Sequence, residues 1–181
     1  VASGDGRWWL RYPDGSYPAN ERVVRDGVTY SFDANGWMKT GWQIEDGAWR
    51  YYSPSGAMAT GWTAVGGTWY YLDPDTGAMA TGWLKDGDTW YYLHGSGGMA
   101  TGWVNLGGAW FYLNGNGSMA TGWVNLGGTW YFLSDDGRMA TGWVKDGESW
   151  FYCYPSGAMA TGRVVVDGTA YTFDANGRLV P

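Results

Sequence analysis

Thr-Gly-Trp recurs down the chain with its tryptophan at 42, 62, 83, 103, 123 and 143, and a seventh copy reads Thr161-Gly162-Arg163. The spacing is 20 residues, with one step of 21 where Asp-Pro-Asp-Thr-Gly at 73–77 carries an extra residue. A segment that short cannot close a core of its own, so repeats this regular must bury their faces on one another, as a solenoid does. Low-complexity sequence can also be repetitive. Here, however, aromatics make up 19% of the residues, with 15 Trp, twelve of them at fixed spacing, and that supplies apolar area for an ordered fold.

Within a repeat the order is Trp, six residues, Trp, aromatic, aromatic, Leu, a Gly-rich turn, then Met-Ala-Thr-Gly. Segments such as Val65-Gly-Gly-Thr-Trp-Tyr-Tyr-Leu72 read as strand, tight glycine turn, strand. Each repeat is therefore predicted to be one β-hairpin with its connection, and the fold class to be all-β, a solenoid of stacked hairpins. An isolated hairpin is marginal in water, so stacking is obligatory. No Pro- or Ser-rich linker interrupts the series. We divide 1–181 as a single repeat module with a partial N-terminal repeat at 1–21 and a degenerate repeat at 22–41. Six full repeats follow at 42–161, with a degenerate C-terminal cap at 162–181. The opening Asp5-Gly-Arg-Trp-Trp-Leu-Arg-Tyr-Pro-Asp-Gly-Ser-Tyr17 looks like the second half of a repeat, so the chain reads as a piece of a longer protein.

The facing of the aromatics follows from hairpin geometry. Number the Thr-Gly-Trp tryptophan zero; the next Trp is then position seven. With a two- or four-residue turn, cross-strand partners have an odd index sum, partners share a face, and faces alternate along each strand. Trp103, Trp110 and Tyr112 (zero, seven, nine) then share one face, and Phe111 and Leu113 (eight, ten) share the other. A three-residue turn breaks this result.

Two degenerate repeats, 22–36 and 163–177, indicate which face is special. They carry Arg22 and Arg163 at zero, Thr29 and Ala170 at seven, and Ser31 and Thr172 at nine, yet keep Tyr30/Tyr171 and Phe32/Phe173 at eight and ten. The Trp–Trp–Tyr face is lost as a set while the other persists. The eight/ten face is therefore expected to be scaffold. End repeats of a solenoid also shed stacking surface, so the contrast alone does not separate packing from ligand binding.

Gly122-Trp-Val-Asn-Leu-Gly-Gly-Thr-Trp-Tyr-Phe-Leu-Ser-Asp-Asp-Gly-Arg-Met-Ala-Thr-Gly-Trp143 and its siblings resemble the cell-wall-binding repeats of choline-binding proteins, found in pneumococcal surface proteins, autolysins and phage endolysins. The resemblance covers essentially the whole chain. It implies hairpins wound into a left-handed superhelix, with choline held between successive hairpins in an aromatic cage. It also implies a non-catalytic module that is secreted and associated with the Gram-positive cell surface. Its expected partner is choline, free or borne on teichoic or lipoteichoic acid. Related repeats bind α-glucans in glucansucrases and carbohydrate in clostridial toxins, so glucan is the alternative ligand, and a passive spacer the alternative role.

The chemistry of the residues fits such a ligand. A quaternary ammonium donates no hydrogen bond and is held by aromatic faces and apolar contact. All seven Met (38, 58, 79, 99, 119, 139, 159) share one repeat position, a soft floor for a cage. Carried over residue by residue, the cages are Trp42/Trp49/Tyr71, Trp62/Trp69/Tyr92, Trp83/Trp90/Tyr112, Trp103/Trp110/Phe132 and Trp123/Trp130/Tyr152, with Trp143/Trp150 as the last pair. The third wall is assigned to position nine of the next repeat, with position eight the alternative. On that assignment the last pair lacks its third wall, because Thr172 stands at nine.

Other chemistry is sparse. Net charge is −6 with no Lys/Arg run, which argues against nucleic acid and suits a cationic ligand. No stretch approaches the roughly 18 apolar residues of a membrane span. Cys153 is the only cysteine and stands where other repeats have Leu, so it reads as a buried hydrophobe. His94 sits at a turn and reads as solvated. The carboxylates Asp86, Asp135, Asp136 and Asp146 lie in or beside Gly turns, where Asp is a turn former. Residues 73–77 lack the acidic residue that would close a calcium loop, and Asn116-Gly-Ser118 is an isolated glycosylation sequon. No catalytic constellation, cofactor or metal site is expected.

Overall fold

The computed structural model describes residues 7–180. Residues 1–6, which open the partial repeat assigned to 1–21, lie outside the described residues. The strands run in consecutive pairs: β1 (Arg22–Arg25) and β2 (Val28–Ser31), β3 (Gly41–Glu45) and β4 (Ala48–Tyr52), β5 (Gly61–Val65) and β6 (Thr68–Leu72), and β7 (Gly82–Asp86) and β8 (Thr89–Leu93). They continue as β9 (Gly102–Leu106) and β10 (Ala109–Leu113), β11 (Gly122–Leu126) and β12 (Thr129–Leu133), and β13 (Gly142–Asp146) and β14 (Ser149–Cys153). β15 (Gly162–Val166), β16 (Thr169–Phe173) and the short β17 (Leu179–Val180) complete the series. The fold is all-β, and no helix occurs among the described residues. The chain forms two compact units, Val1–Leu84 with Leu93–Met99, and Lys85–Tyr92 with Ala100–Pro181; their division runs through β7 and β8.

Hairpin register supports the facing argument. Trp103 pairs with Tyr112, Asn105 with Trp110, and Val104 with Phe111, around a turn of two residues. Both turn glycines there have positive φ, 62° at Gly107 and 90° at Gly108. That is the turn whose twist matches the strands, and it explains the Gly-Gly and Asp-Gly pairs in the sequence. After each hairpin the chain folds back so that the methionine position bridges position ten: Tyr52 with Met58, Leu72 with Met79, Leu113 with Met119, Leu133 with Met139 and Cys153 with Met159. At the C-terminal end β17 takes this place, Phe173 pairing with Leu179. The step of 21 residues is absorbed in the turn. Gly77 N–H reaches back four residues to the Asp73 carbonyl, where Gly56 N–H reaches three to Ser53. The Asp73 carboxylate is occupied by Thr76 and the backbone of Asp75 and Thr76.

Position ten forms the spine of the core. Phe32, Tyr52, Leu72, Leu93, Leu113, Leu133, Cys153 and Phe173 are 0–4% exposed. Cys153 is inert, since burial pushes its thiol up to about 11. Successive repeats are also tied by backbone. The methionine N–H of one repeat donates to the position-seven carbonyl of the repeat before, Met79 to Trp49 and Met139 to Trp110, each at 2.7–2.8 Å. Packing sets the same spacing: at Gly157, φ is +83° and an added Cβ would meet the Met139 sulfur at 2.2 Å.

Candidate functional site

The tryptophans at position seven behave differently from the spine. Trp49, Trp69, Trp90, Trp110, Trp130 and Trp150 are 40–47% exposed. Leaving nearly half of an indole in water forgoes roughly 2 kcal/mol of burial per residue. Six such residues at one repeat position are not explained as core.

The cage geometry can be built from one hairpin upward. β9 and β10 hold Trp103 and Trp110 side by side on one face, ring centroids 6.4 Å apart and planes at 88°. The next hairpin, β11–β12, lays its opposite face over this pair, and Tyr131 comes to 5.0 Å from Trp103. Met139 follows from the connection after β12, and the turn one repeat further on adds Pro155 and Ser156. Together they enclose an open cavity of about 380 Å³ lined by two indoles, a phenol, a thioether and little charge. Trp123, Trp130, Phe151 and Met159 repeat the arrangement, with Phe151 at 4.7 Å from Trp123. In the first compact unit Trp42 and Trp49 stand 6.4 Å apart at 87°, with Tyr70 at 4.8 Å from Trp42.

The ring that lies beside each of these tryptophan pairs from the next hairpin is at position eight, and not at position nine as expected. The physical reason is the alternation of faces. A position-nine ring shares the face of its own hairpin's tryptophans and packs there: Tyr71 on Trp62 at 5.3 Å, Tyr112 on Trp103 at 5.2 Å, Phe132 on Trp123 at 5.1 Å, Tyr152 on Trp143 at 5.3 Å. Position eight lies on the other face and points back at the preceding hairpin, as does position ten, whose Phe173 comes to 5.8 Å from Trp143. The expected groups Trp62/Trp69/Tyr92 and Trp83/Trp90/Tyr112 draw on both compact units, so their members are placed within their own. Trp69 and Trp90 accept the Met99 and Met119 N–H groups, and Tyr92 packs on Ala100, Phe111 and Leu113.

The last pair is corrected with it. Trp143 and Trp150 stand 6.3 Å apart, and Tyr171 supplies a wall at 4.8 Å from Trp143. Thr172 does not leave this site open. Leu179 occupies the methionine position, and the Lys145 ammonium lies 5.8 Å over Trp150, an internal cation beside one wall.

Two features escaped the sequence reading. One is a further cavity of about 310 Å³ whose lining includes Trp8, Tyr30, Met38 and Arg25. Trp8 precedes Gly15 by the same seven residues that separate Trp49 from Gly56, so it is a position-seven tryptophan. The other is Arg50, at the junction where the degenerate repeat 22–36 has lost its Trp–Trp–Tyr face. Hairpin β1–β2 carries Arg22 and Thr29 at zero and seven, and the following repeat carries Arg50, not an aromatic, at eight. That joint substitution is the sequence signal for position eight.

At this junction polar contacts replace the rings. Arg22 pairs with Asp46 at 2.6 Å, and buried Arg50 donates to the carbonyls of Glu45 and Thr76. The Glu45 carboxylate accepts from Ser31 at 2.5 Å, Tyr52 at 2.7 Å and Lys39 at 2.9 Å. Burial pushes the Glu45 carboxyl up, but the bonds from Ser31, Tyr52 and Lys39 outweigh it and hold the group below its usual range. A carboxylate depressed in the folded state stabilises it above the unfolded value, about 4.3, and that stabilisation is lost as pH falls through the folded value. Melting followed from about pH 6 downwards should therefore show an acid loss of stability that Glu45→Gln reduces. An unchanged acid profile in the variant would remove Glu45 as its source.

The choline-binding repeat family model matches residues 21–60, 59–102, 100–141, 120–154 and 140–180. Among solved structures, CbpJ from Streptococcus pneumoniae is 43% identical over 84% of this chain and 56% of its own, with a TM-score of 0.82. Choline binding protein F of the same species, in its complex with ipratropium, is 34% identical over 96% of this chain and 62% of its own, with a TM-score of 0.83. The choline-binding domain of CbpL, also from Streptococcus pneumoniae, is 30% identical over 99% of this chain and 96% of its own, with a TM-score of 0.70. The chain thus spans less than two thirds of the first two and nearly all of the third. No match was found among curated proteins. With its repeats matched from residue 21 to residue 180 and the same hairpin architecture as its relatives, the chain belongs to the choline-binding repeat family.

Proposed function

We propose that the chain is a non-catalytic module that binds choline in its aromatic cages and thereby anchors a larger secreted protein to choline-bearing teichoic or lipoteichoic acid at the cell surface. The observation that carries this is the row of half-exposed position-seven tryptophans, of which Trp49, Trp110, Trp130 and Trp150 each have a second indole of their own hairpin and a ring from the next hairpin beside them. Aromatic faces suit a cation that forms no hydrogen bond. Ipratropium, bound by choline binding protein F, is itself a quaternary ammonium.

Glucan is not favoured by the side chains beside the rings. Asn105 and Asn125, the polar groups best placed for sugar hydroxyls, turn their carbonyl oxygens onto the Gly108 and Gly128 N–H groups of their own hairpin turns. Titration with choline, with a dextran oligosaccharide in parallel, tests the reading through Trp fluorescence and melting temperature. Choline is expected to change both, since a ligand of the folded state stabilises it. A response to dextran and none to choline would overturn the assignment.

The same reading predicts the wall residues. Tyr131→Ala removes about one cation–π contact, roughly 0.5–2 kcal/mol, so the Trp103/Trp110 cage should weaken between severalfold and about thirtyfold. Phe132→Ala should affect that cage much less and disturb Trp123, on which Phe132 packs. A choline-soaked crystal of each variant reports occupancy cage by cage, and reversed effects would restore position nine as the wall.

A further inference from the structure

The cavity at Trp8 departs from the others in what surrounds its indole. By register Trp8 is a position-seven tryptophan, and position zero of its repeat is Val1, an aliphatic residue where the full repeats have a second indole. The Trp8 carbonyl accepts the Met38 N–H at 2.8 Å, as the Trp110 carbonyl accepts that of Met139, so the indole is rooted in the same way. At 53% it is more exposed than any other position-seven tryptophan. Tyr30 and Met38 line the cavity of about 310 Å³ beside it.

Two charged side chains share this lining, Arg25 at the end of β1 and Asp26 in the turn that follows. Both are exposed, and among the described residues neither side chain has an ion pair or a hydrogen bond. Opposite charges on adjacent residues leave the rim close to neutral, so at range it attracts neither a cation nor an anion. What it offers is local hydrogen bonding: the guanidinium donates in a planar fork, and the carboxylate accepts. A flat apolar surface edged by unpaired donors and acceptors suits a ring with C–H groups on its face and hydroxyls around its rim. A pyranose is such a ring.

We infer that the Trp8 cavity is a carbohydrate site that takes one neutral pyranose ring, with Trp8 as its stacking platform and Arg25 and Asp26 bonding its hydroxyls. This site is independent of the choline-binding role, which falls on the paired indoles. It also differs from the surroundings of those pairs, where the Asn105 and Asn125 side chains are engaged by their own hairpin turns.

The test follows the indole N–H resonances of Trp8 and Trp103, each identified by its loss in a Trp→Phe variant, while the whole chain is titrated with maltotriose and with triacetylchitotriose. The two sugars distinguish a plain glucose ring from an N-acetylated one. At least one should shift Trp8 saturably and leave Trp103 unmoved. Arg25→Ala and Asp26→Asn should each weaken that binding about two- to tenfold, the range of one lost hydrogen bond, with the Trp103 response to choline unchanged. Added salt should leave the sugar affinity as it is, since the ligand has no charge to screen. Silence of Trp8 toward both sugars in the folded protein, whether or not choline moves it, overturns the inference, as does an affinity that neither substitution lowers. A sugar response at Trp8 beside a Trp103 that ignores choline would support the carbohydrate site and remove the choline reading alone.

Discussion

A surface bearing many choline groups should hold this chain about 10²–10⁴ times more tightly than free choline occupies any single cage. The expectation follows from the weakness of one site. Three cation–π contacts of roughly 0.5–2 kcal/mol each, set against the entropy of association, leave about millimolar affinity, near −4 kcal/mol. One cage at that affinity retains nothing on a wall. On the proposed reading, however, the chain carries cages at Trp42/Trp49, Trp103/Trp110, Trp123/Trp130 and Trp143/Trp150 on one continuous backbone. Once one is occupied, the next choline on the same polymer binds at an effective concentration set by the tether and not by bulk solution. Retention on choline-grafted surfaces of graded density measures this. Retention should climb steeply once neighbouring cholines fall within reach, and millimolar free choline should release the protein. Retention strictly proportional to choline density would show that the cages act independently, and repetition would then need another explanation.

Much of this site was legible in the sequence because β-hairpins alternate faces with a fixed period. Trp103, Trp110 and Tyr112 could be put on one face, and Phe111 and Leu113 on the other, from the spacing and a two-residue turn alone. What spacing within one hairpin does not contain is which face of the next hairpin arrives on top. The aromatic pair Tyr131-Phe132 offers a ring in either direction, so the choice between them had no local signal. The information lay instead between repeats: Arg50 replaces the position-eight aromatic in the repeat after Arg22 and Thr29 have replaced both tryptophans. Substitutions that go together across a junction mark residues that meet there. Trp8 was missed for a related reason. It is in register with Gly15, not with any Thr-Gly-Trp, and the repeat had been phased on the latter. The rim of each cage, drawn from a turn one repeat further still, was beyond any argument from adjacent hairpins.

Gly157→Ala should destabilise the fold by about 2–5 kcal/mol and damage a cage that it does not itself line. Two costs add. Holding an alanine at the φ of +83° found here costs roughly 1–2 kcal/mol. The added Cβ would also stand 2.2 Å from the Met139 sulfur and 2.9 Å from its Cγ, so the whole thioether has to move, and such overpacking costs roughly 1–3 kcal/mol. Gly128→Ala separates the two terms. Its φ is +89°, but its Cβ would meet nothing within 4 Å, so only the backbone cost applies. Gly157→Ala should therefore melt several degrees below Gly128→Ala, a shift of about 2–4 °C per kcal/mol being usual for a chain of this length. The link to function runs through Met139, which packs on the glycine and lines the cavity of Trp103, Trp110 and Tyr131. Displacing it should weaken choline in that cage while the Trp42/Trp49 cage stays unchanged, since each repeat touches chiefly its neighbours. Equal melting of the two variants, with the Trp103 cage intact, would show that Met139 yields freely and that the glycine is retained for its backbone alone.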